Sequence, residues 1–408
     1  MLSTLLTLFL AAITVNGPNT VLRSACEADG DPVAELPKGT AVAVKFAMAG
    51  QGCYKVSALR GETVVEGYVS TSQLDGLDEF EKLRKDAAWL DAVEVVRAAG
   101  SKPSAASLGI GGKASPKLQQ AAQLIEASQP GKALEILESE MRSKQVRDPA
   151  MLALAGVAAW RADDPRRALG YWQGSLELAP NPDIERLYKK VEKEVAADRS
   201  FEKLYGLRVI LRFEPGAINV ESARGMLGVL DEEFSRIIGV VGCPVDERIV
   251  AIMQSKDAYY RATDAAEWSG GQFDGRIRVP ILDGSTTPEK MRRVFAHEIT
   301  HACLSMMGRW PAWFHEGVAQ KLSGETLTPA QRKALTAMAE KHLVPKLENL
   351  RQDWSRMSPE HASMAYQFSL LAAEMFFENW ANYGLRNLVR NPEQLATITQ
   401  DLDKRLGL

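Results

Sequence analysis

The chain has 408 residues, which at roughly 100 to 200 residues per domain makes two to four domains, each with its own core. Apolar content of 46%, charged content of 25% and only 31 Gly and 19 Pro are ordinary globular values, so collagen, extended disorder and low-complexity fibres are excluded. Lys plus Arg number 49 against 52 Asp plus Glu, a net charge of -3, with no long basic run, so nucleic acid is not an expected partner.

Leu2 to Val15 is the longest apolar stretch. It falls short of the about 20 residues a membrane-spanning helix needs, so no transmembrane segment is expected. It reads as a signal peptide over residues 1–12, with cleavage near Ala11 or Ala12, although no Lys or Arg precedes it; the alternative is a buried amino-terminal strand or helix. A signal predicts a secreted or periplasmic, cell-envelope protein. Cys26, Cys53, Cys243 and Cys303 show no C-x-x-C spacing, which argues against a Cys-ligated zinc site or a redox pair. Cys26 with Cys53 and Cys243 with Cys303 fall in separate regions, so export predicts one disulfide in each; the alternative is four buried thiols.

After Asn16-Gly17-Pro18, residues 13–77 hold short β-rich runs at Thr20 to Arg23, Thr40 to Phe46, Cys53 to Ala58 and Thr63 to Val69, broken by turn residues. They predict a small β-barrel. Leu22 to Cys26, Leu36-Pro37-Lys38-Gly39-Thr40 and Glu66-Gly67-Tyr68-Val69 resemble the bacterial Src-homology-3-like domains of cell-envelope proteins. That resemblance implies binding to wall material or peptide, beside a purely structural role. Residues 78–115 read as a charged helix, Asp78 to Ala99, and a Gly, Ser and Ala-rich linker. Gly109 to Lys113 does not make a phosphate loop, because Ser107 and Ala114 stand where Gly and Ser or Thr are required.

Residues 116–198 turn helical and repeat: Ala133-Leu134 with Leu137 recurs as Ala168-Leu169 with Trp172, a shift of 35 residues. Ala155-Gly156, Ala159, Ala168, Trp172, Ser175 and Pro180 resemble the tetratricopeptide repeat in about two helix-pair units. A groove for a partner peptide and a plain spacer are both consistent with this.

Residues 199–408 mix both element types. Arg208 to Phe213 and Arg248 to Met253 read as strands around an amphipathic helix, Val220 to Ile238, and Gly271 to Leu282 reads as a strand pair or edge. The next helix has Thr287 as N-cap, Pro288 and Glu289 in its first turn and Gly308 as terminator. Inside it stands His297-Glu298-Ile299-Thr300-His301. Residues four apart share a helix face, so both imidazoles reach one metal ion while Glu298 sits beside them to contact an activated water. Leu304 and Met307 exclude the metzincin pattern. Glu316, 15 residues after His301 on a second, Pro311-started helix, completes a His, His, Glu set with an open fourth position, as in catalytic zinc sites. His315 is a rival, read as a supporting or surface residue, because neighbours on a helix point about 100° apart; His342 and His361 have no ligand spacing and are expected to face solvent.

Trp313, Glu316, Gly317 and Ala319 after H-E-x-x-H resemble the gluzincin metallopeptidases of the peptidase MA-like group over about the last 200 residues. The departure is Gln320, where some gluzincins carry an acid that orients a metal-bound His. The resemblance implies a Tyr or His on a later helix as donor to the oxyanion. Tyr366, on a helix expected over Pro359 to Ala381 with Ser358 as cap and Gly384 beyond it, is the candidate, with Tyr383 or His361 as substitutes. It also implies extended peptide binding along an edge strand at Gly270 to Arg276.

The expected fold is therefore multidomain α+β: a small β-barrel, helical repeat hairpins, then a zincin-like α/β metallopeptidase domain. The expected function is hydrolysis of a peptide or protein substrate, with Zn2+ on His297, His301 and Glu316 and Glu298 as general base, and with a cell-wall or protein partner for the barrel and repeats. Two other readings stand beside it: an envelope binding or scaffold protein with a non-catalytic zinc site, and a metal-dependent hydrolase of another bond.

Overall fold

The computed structural model describes residues 13–25, 30–48, 53–60, 63–77, 115–144, 148–197, 201–244, 246–263, 272–281, 286–350 and 359–408. The signal peptide over residues 1–12, Cys26, the helix and linker at 78–114 and the N-cap Ser358 lie outside them. The described residues form a mixed α+β protein in two compact units, Met1–Trp89 with Asp257–Ser269, and Leu90–Lys256 with Gly270–Leu408. No described helix is long and apolar enough to cross a membrane.

In the first unit, β2 (Asn19–Arg23), β3 (Pro32–Pro37), β4 (Val42–Met48), β5 (Cys53–Arg60) and β6 (Thr63–Ser70) form an antiparallel sheet in the order β3-β2-β6-β5-β4, and β1 (Thr14–Val15) pairs with β7 (Leu74–Asp75). Alternation puts Leu22, Leu36, Val56 and Val69 in one core with Ile13 and Val15. Strand β3 has no counterpart in the sequence reading because Pro32 and Pro37 bracket it; as an edge strand it tolerates prolines that a central strand would not. Residues 257–269 belong to this unit, where Lys55 pairs with Asp257 at 3.2 Å. Cys53 is disulfide-bonded.

The second unit starts with five helices, α1 (Pro116–Glu126), α2 (Pro130–Lys144), α3 (Pro149–Arg161), α4 (Pro165–Leu178) and α5 (Pro182–Ala197). Each begins at a proline, and Ser115, Asp148, Asp164 and Asn181 before four of them accept backbone N–H groups of the first turn. Trp172 is fully buried and donates to the Ala153 carbonyl at 3.0 Å. A Cβ at Gly156 would lie 2.2 Å from its ring nitrogen, so a glycine is required where these two helices cross.

Next comes a mixed sheet in the order β11-β12-β10-β9-β8, built from β8 (Glu202–Tyr205), β9 (Val209–Phe213), β10 (Ile249–Ser255), β11 (Gln272–Phe273) and β12 (Ile277–Ile281). Pairs β9·β10 and β10·β12 are parallel, and the outer pairs are antiparallel. One face, with Leu211, Met253, Ile277 and Val279, packs in the main core with helices α6 (Val220–Val241) and α8 (Pro288–Met307). The other face carries Arg212, Gln254 and Arg278, all buried, and meets the helical repeats through charge: Arg212 with Asp163 at 2.9 Å, and Arg276 and Arg278 with Glu194 at 2.8 and 2.9 Å. Arg276 also stacks 4.2 Å over Trp160. The repeats thus form the second cover of the sheet, which is why they group with it across the sequence boundary at 198/199.

Helix α7 (Lys256–Thr263) follows β10; α9 (Ala312–Leu322), α10 (Pro329–Glu340), α11 (Pro359–Arg390) and α12 (Leu395–Leu406) complete the chain. The helix expected to end at Ala381 instead resumes after a break there (φ 51°, ψ −164°) and runs to Arg390. Leu385, Leu388 and Val389 are buried in the main core, and their burial draws the chain back into helix past Gly384.

Candidate metal centre

Helix α8 starts at the expected cap, with Thr287 accepting the Lys290 N–H and Pro288 in the first turn, and stops at Gly308, whose φ of 146° suits glycine alone. Phe295, Ile299, Ala302 and Cys303 point into the core and are fully buried. At about 100° per residue, His297 and His301 therefore face away from Ile299 and stack one turn apart. Cys303 is bonded to Cys243, just past the end of α6, across a 60-residue span; closing a loop of that length stabilises the fold by about 4 kcal/mol in the chain-entropy account.

Trp310 donates to the Leu304 carbonyl at 3.0 Å, fastening the turn from α8 to α9. Trp313, Phe314 and Val318 bury the far side of α9, leaving His315 and Glu316 toward α8. A Cβ on Gly317 would stand 2.3 Å from the Ser369 carbonyl oxygen of α11, so this glycine allows α9 and α11 to touch backbone to backbone. We expect Gly317→Ala to separate the two helices, cost about 1 to 3 kcal/mol in urea denaturation and weaken metal binding through the displaced Glu316. Unchanged stability with unchanged metal affinity would show that the contact does not hold the site.

The predicted ligand atoms converge. His297 Nε2 and His301 Nε2 are 3.0 Å apart, and Glu316 Oε2 lies 3.4 and 3.5 Å from them. Those separations are close to the about 3.4 Å edge of a tetrahedron with ligand bonds of 2.0 to 2.1 Å. Among the described residues, this is the one group of three His, Cys or carboxylate side chains arranged to hold a metal ion. Glu316 Oε2 is buried without a hydrogen-bond donor in good geometry, and such an oxygen beside two imidazole nitrogens suits a divalent cation.

The charges fit the same picture. Burial alone would raise the Glu316 carboxyl, but His301 and His297 beside it hold it well below the usual carboxylate range. Burial pulls His297 down, yet the hydrogen bond and charge of Glu316, with Glu298 and Glu325 behind it, push it up to about 9. Glu298, 4% exposed, is pushed up by burial against the opposing pull of His297 and His301. Burial and His301 together lower His315 to about 3.

These shifts predict a pH profile for the metal-free protein. His297, raised from 6.5 to about 9 on folding, contributes stability below pH 6.5 that is lost as the pH climbs through 9. Glu298 acts in the same direction. His315, lowered from 6.5 to about 3, and Glu316, lowered from 4.5, contribute stability that is lost as the pH falls. Thermal denaturation in chelator should show its maximum near pH 6.5, the ordinary imidazole value from which the two histidines are displaced in opposite directions, and fall as the pH climbs toward 9; a melting point still rising toward pH 9 would contradict the His297–Glu316 pair.

Tyr366 is half-buried against the main core on α11, three residues before Ser369, so about 4.5 Å along the helix from the carbonyl that meets Gly317. Tyr383 is 82% exposed and lies past the break at Ala381. The His361 side chain lies outside the described residues. His342 is exposed, with a left-handed φ of 53°.

Two residues near the site escaped the sequence reading in their actual roles. His315, read as supporting or surface, puts Nδ1 3.3 Å from His301 Nδ1. Glu325 lies in the turn after α9, its Oε2 accepting from Gln320 Nε2 at 3.4 Å, and its charge acts on His297. Gln320 thus holds a carboxylate five residues later on the same side of the site, an arrangement that no fixed motif spacing encodes. Comparison with protein-family models, curated proteins and solved structures finds no match to this chain.

Proposed function

We propose that this protein is an exported zinc metallopeptidase. The observation that carries the proposal is the convergence of His297, His301 and Glu316 at tetrahedral spacing with the buried carboxyl of Glu298 on the same helix. A structural site has no need of that carboxyl, whereas a hydrolytic site requires a base next to an open ligand position.

His297, His301 and Glu316 would hold the ion. When bound, it supplies Lewis-acid polarisation of a carbonyl and acidification of a water. Glu298 takes the proton from the attacking water and passes it to the departing amine, and its upward shift on burial suits a group that must both accept and release a proton. Tyr366 donates to the developing oxyanion. Strand β11, at the edge of the described sheet and followed by β12 ahead of α8, is where an extended peptide would pair.

The disulfide between Cys243 and Cys303 supports an oxidising compartment, the cell envelope or beyond. The antiparallel sheet of the first unit serves as the Src-homology-3-like module and the α1 to α5 helices as tetratricopeptide-like repeats, for a wall or protein partner. The test is elemental metal analysis of purified protein, paired with casein or mixed-peptide cleavage with and without chelator. One zinc per chain and cleavage abolished by chelation are expected; absence of bound zinc after exposure to it would overturn the proposal.

A further inference from the structure

His301 presents two different nitrogens to two different neighbours. Its Nε2 faces His297 Nε2 at 3.0 Å and Glu316 Oε2 at 3.5 Å, while its Nδ1 faces His315 Nδ1 at 3.3 Å. A nitrogen that binds a cation must offer its lone pair, so a neutral His301 with Nε2 toward the ion carries its proton on Nδ1. That proton needs an acceptor, and the atom in reach is His315 Nδ1. Two imidazole nitrogens can share one proton only if one of them is bare, so the contact assigns both tautomers together: Nδ1–H on His301, and Nε2–H with a bare Nδ1 on His315.

Resting on the metal-site reading above, we propose that His315 is a positioning residue: it accepts the His301 Nδ1–H and so fixes the ring orientation and tautomer in which His301 can bind the ion. Helix geometry explains how one short segment performs both tasks. Glu316 and His315 are adjacent, about 100° apart on α9, so one reaches the ligand side of the His301 ring and the other its opposite side. His301 is clamped between consecutive residues of a single helix. The rings of His301 and His315 lie 5.5 Å apart and inclined at 36°, an arrangement in which the two nitrogens approach edge to edge rather than through stacked faces. His297 has no comparable imidazole partner on its far side among the described ring contacts, so the two ligands are supported by different means.

The test uses the full-length protein and zinc alone, with affinity read by competition against a chromophoric chelator. His315→Phe keeps a ring of similar volume but removes the acceptor, His315→Asn restores an acceptor oxygen near the position of Nδ1, and His315→Ala removes both. Removal of a metal ligand's outer hydrogen-bond partner is expected to weaken affinity about 10- to 100-fold. We expect that loss in the Ala and Phe variants and recovery to within about threefold of wild type in the Asn variant, with circular dichroism unchanged throughout. Recovery in Phe but not in Asn would overturn the proposal in favour of simple packing, and wild-type affinity in all three would overturn it outright. Wild-type protein that binds no zinc would defeat the metal-site reading itself, a result distinct from either.

Discussion

Glu298→Ala should lower the rate of peptide hydrolysis by about 10²- to 10⁴-fold, the usual contribution of a positioned general base, while zinc content stays equal to wild type. Glu298 is on the ligand helix but is not part of the three-atom cluster, so its removal takes away the base and leaves the ion's ligands in place. The variant should also fold as well as the parent or better. The carboxyl is 4% exposed and its Oε2 has no hydrogen-bond donor, an arrangement that costs stability and is relieved when the group is deleted. A melting temperature equal to or above that of wild type, with activity lost, would mark a residue kept for chemistry at the expense of stability. Lost activity with lost zinc would instead show that Glu298 holds the ion's surroundings together. Retained activity would remove it from the mechanism.

The second large effect lies far from the chemistry. Glu194 on α5 is 2% exposed and accepts from Arg276 and Arg278 of the sheet and from Trp160 of α3. Burial works to raise this carboxyl, but the two guanidinium groups overcome it and hold the group well below the usual carboxylate range. Glu194→Ala would leave two fully buried cations beside Asp274 with one carboxylate fewer. Breaking a buried ion pair by removing one partner costs about 3 to 5 kcal/mol, and we expect urea unfolding of the variant to fall by that amount. Trp160 fluorescence should change with it, because its ring packs on Arg276 and its N–H loses an acceptor. Simultaneous replacement of Glu194, Arg276, Arg278 and Asp274 by apolar residues of similar size should recover much of the loss, because no buried charge of the cluster is then left unpaired. A Glu194→Ala cost below about 1 kcal/mol would mean that the sheet and the repeats are held by other contacts.

The site was far more legible than the scaffold that carries it. H-E-x-x-H encodes its own geometry, because a helix turn is nearly the spacing of the two histidines, and the caps at Thr287 and Gly308 mark that helix in plain residues. Glu316 followed from resemblance and from the ligand count, and the distances agree with it. His315 and Glu325 were not legible in their roles, since both depend on where α9 lies against α8 and on a turn that brings a later acid back. In the scaffold, the strands with clear apolar runs were readable, and Gly271 to Leu282 was legible as the strand pair that holds β11 and β12, but β3 was hidden by its prolines. Arg276 and Arg278 look solvent-facing in a sequence and are in fact fully buried, because their partners come from a helix more than 80 positions earlier. Local patterning cannot show a polar face that is covered by another charged face.

The Cys243–Cys303 bond also makes a covalent ring of the chain between them. That ring contains residues 257–269, the stretch that leaves one compact unit for the other and returns. A protease cut at any one peptide bond inside it opens the ring without releasing a fragment, so the amino-terminal piece and the piece bearing the histidines remain a single molecule. Nicked protein would migrate as one species until a reductant is added, then separate into two. Any maturation or inactivation by cleavage in this region would therefore be invisible to size measurements made without reduction, and the ligand helix would stay tethered to α6 after the backbone had been broken.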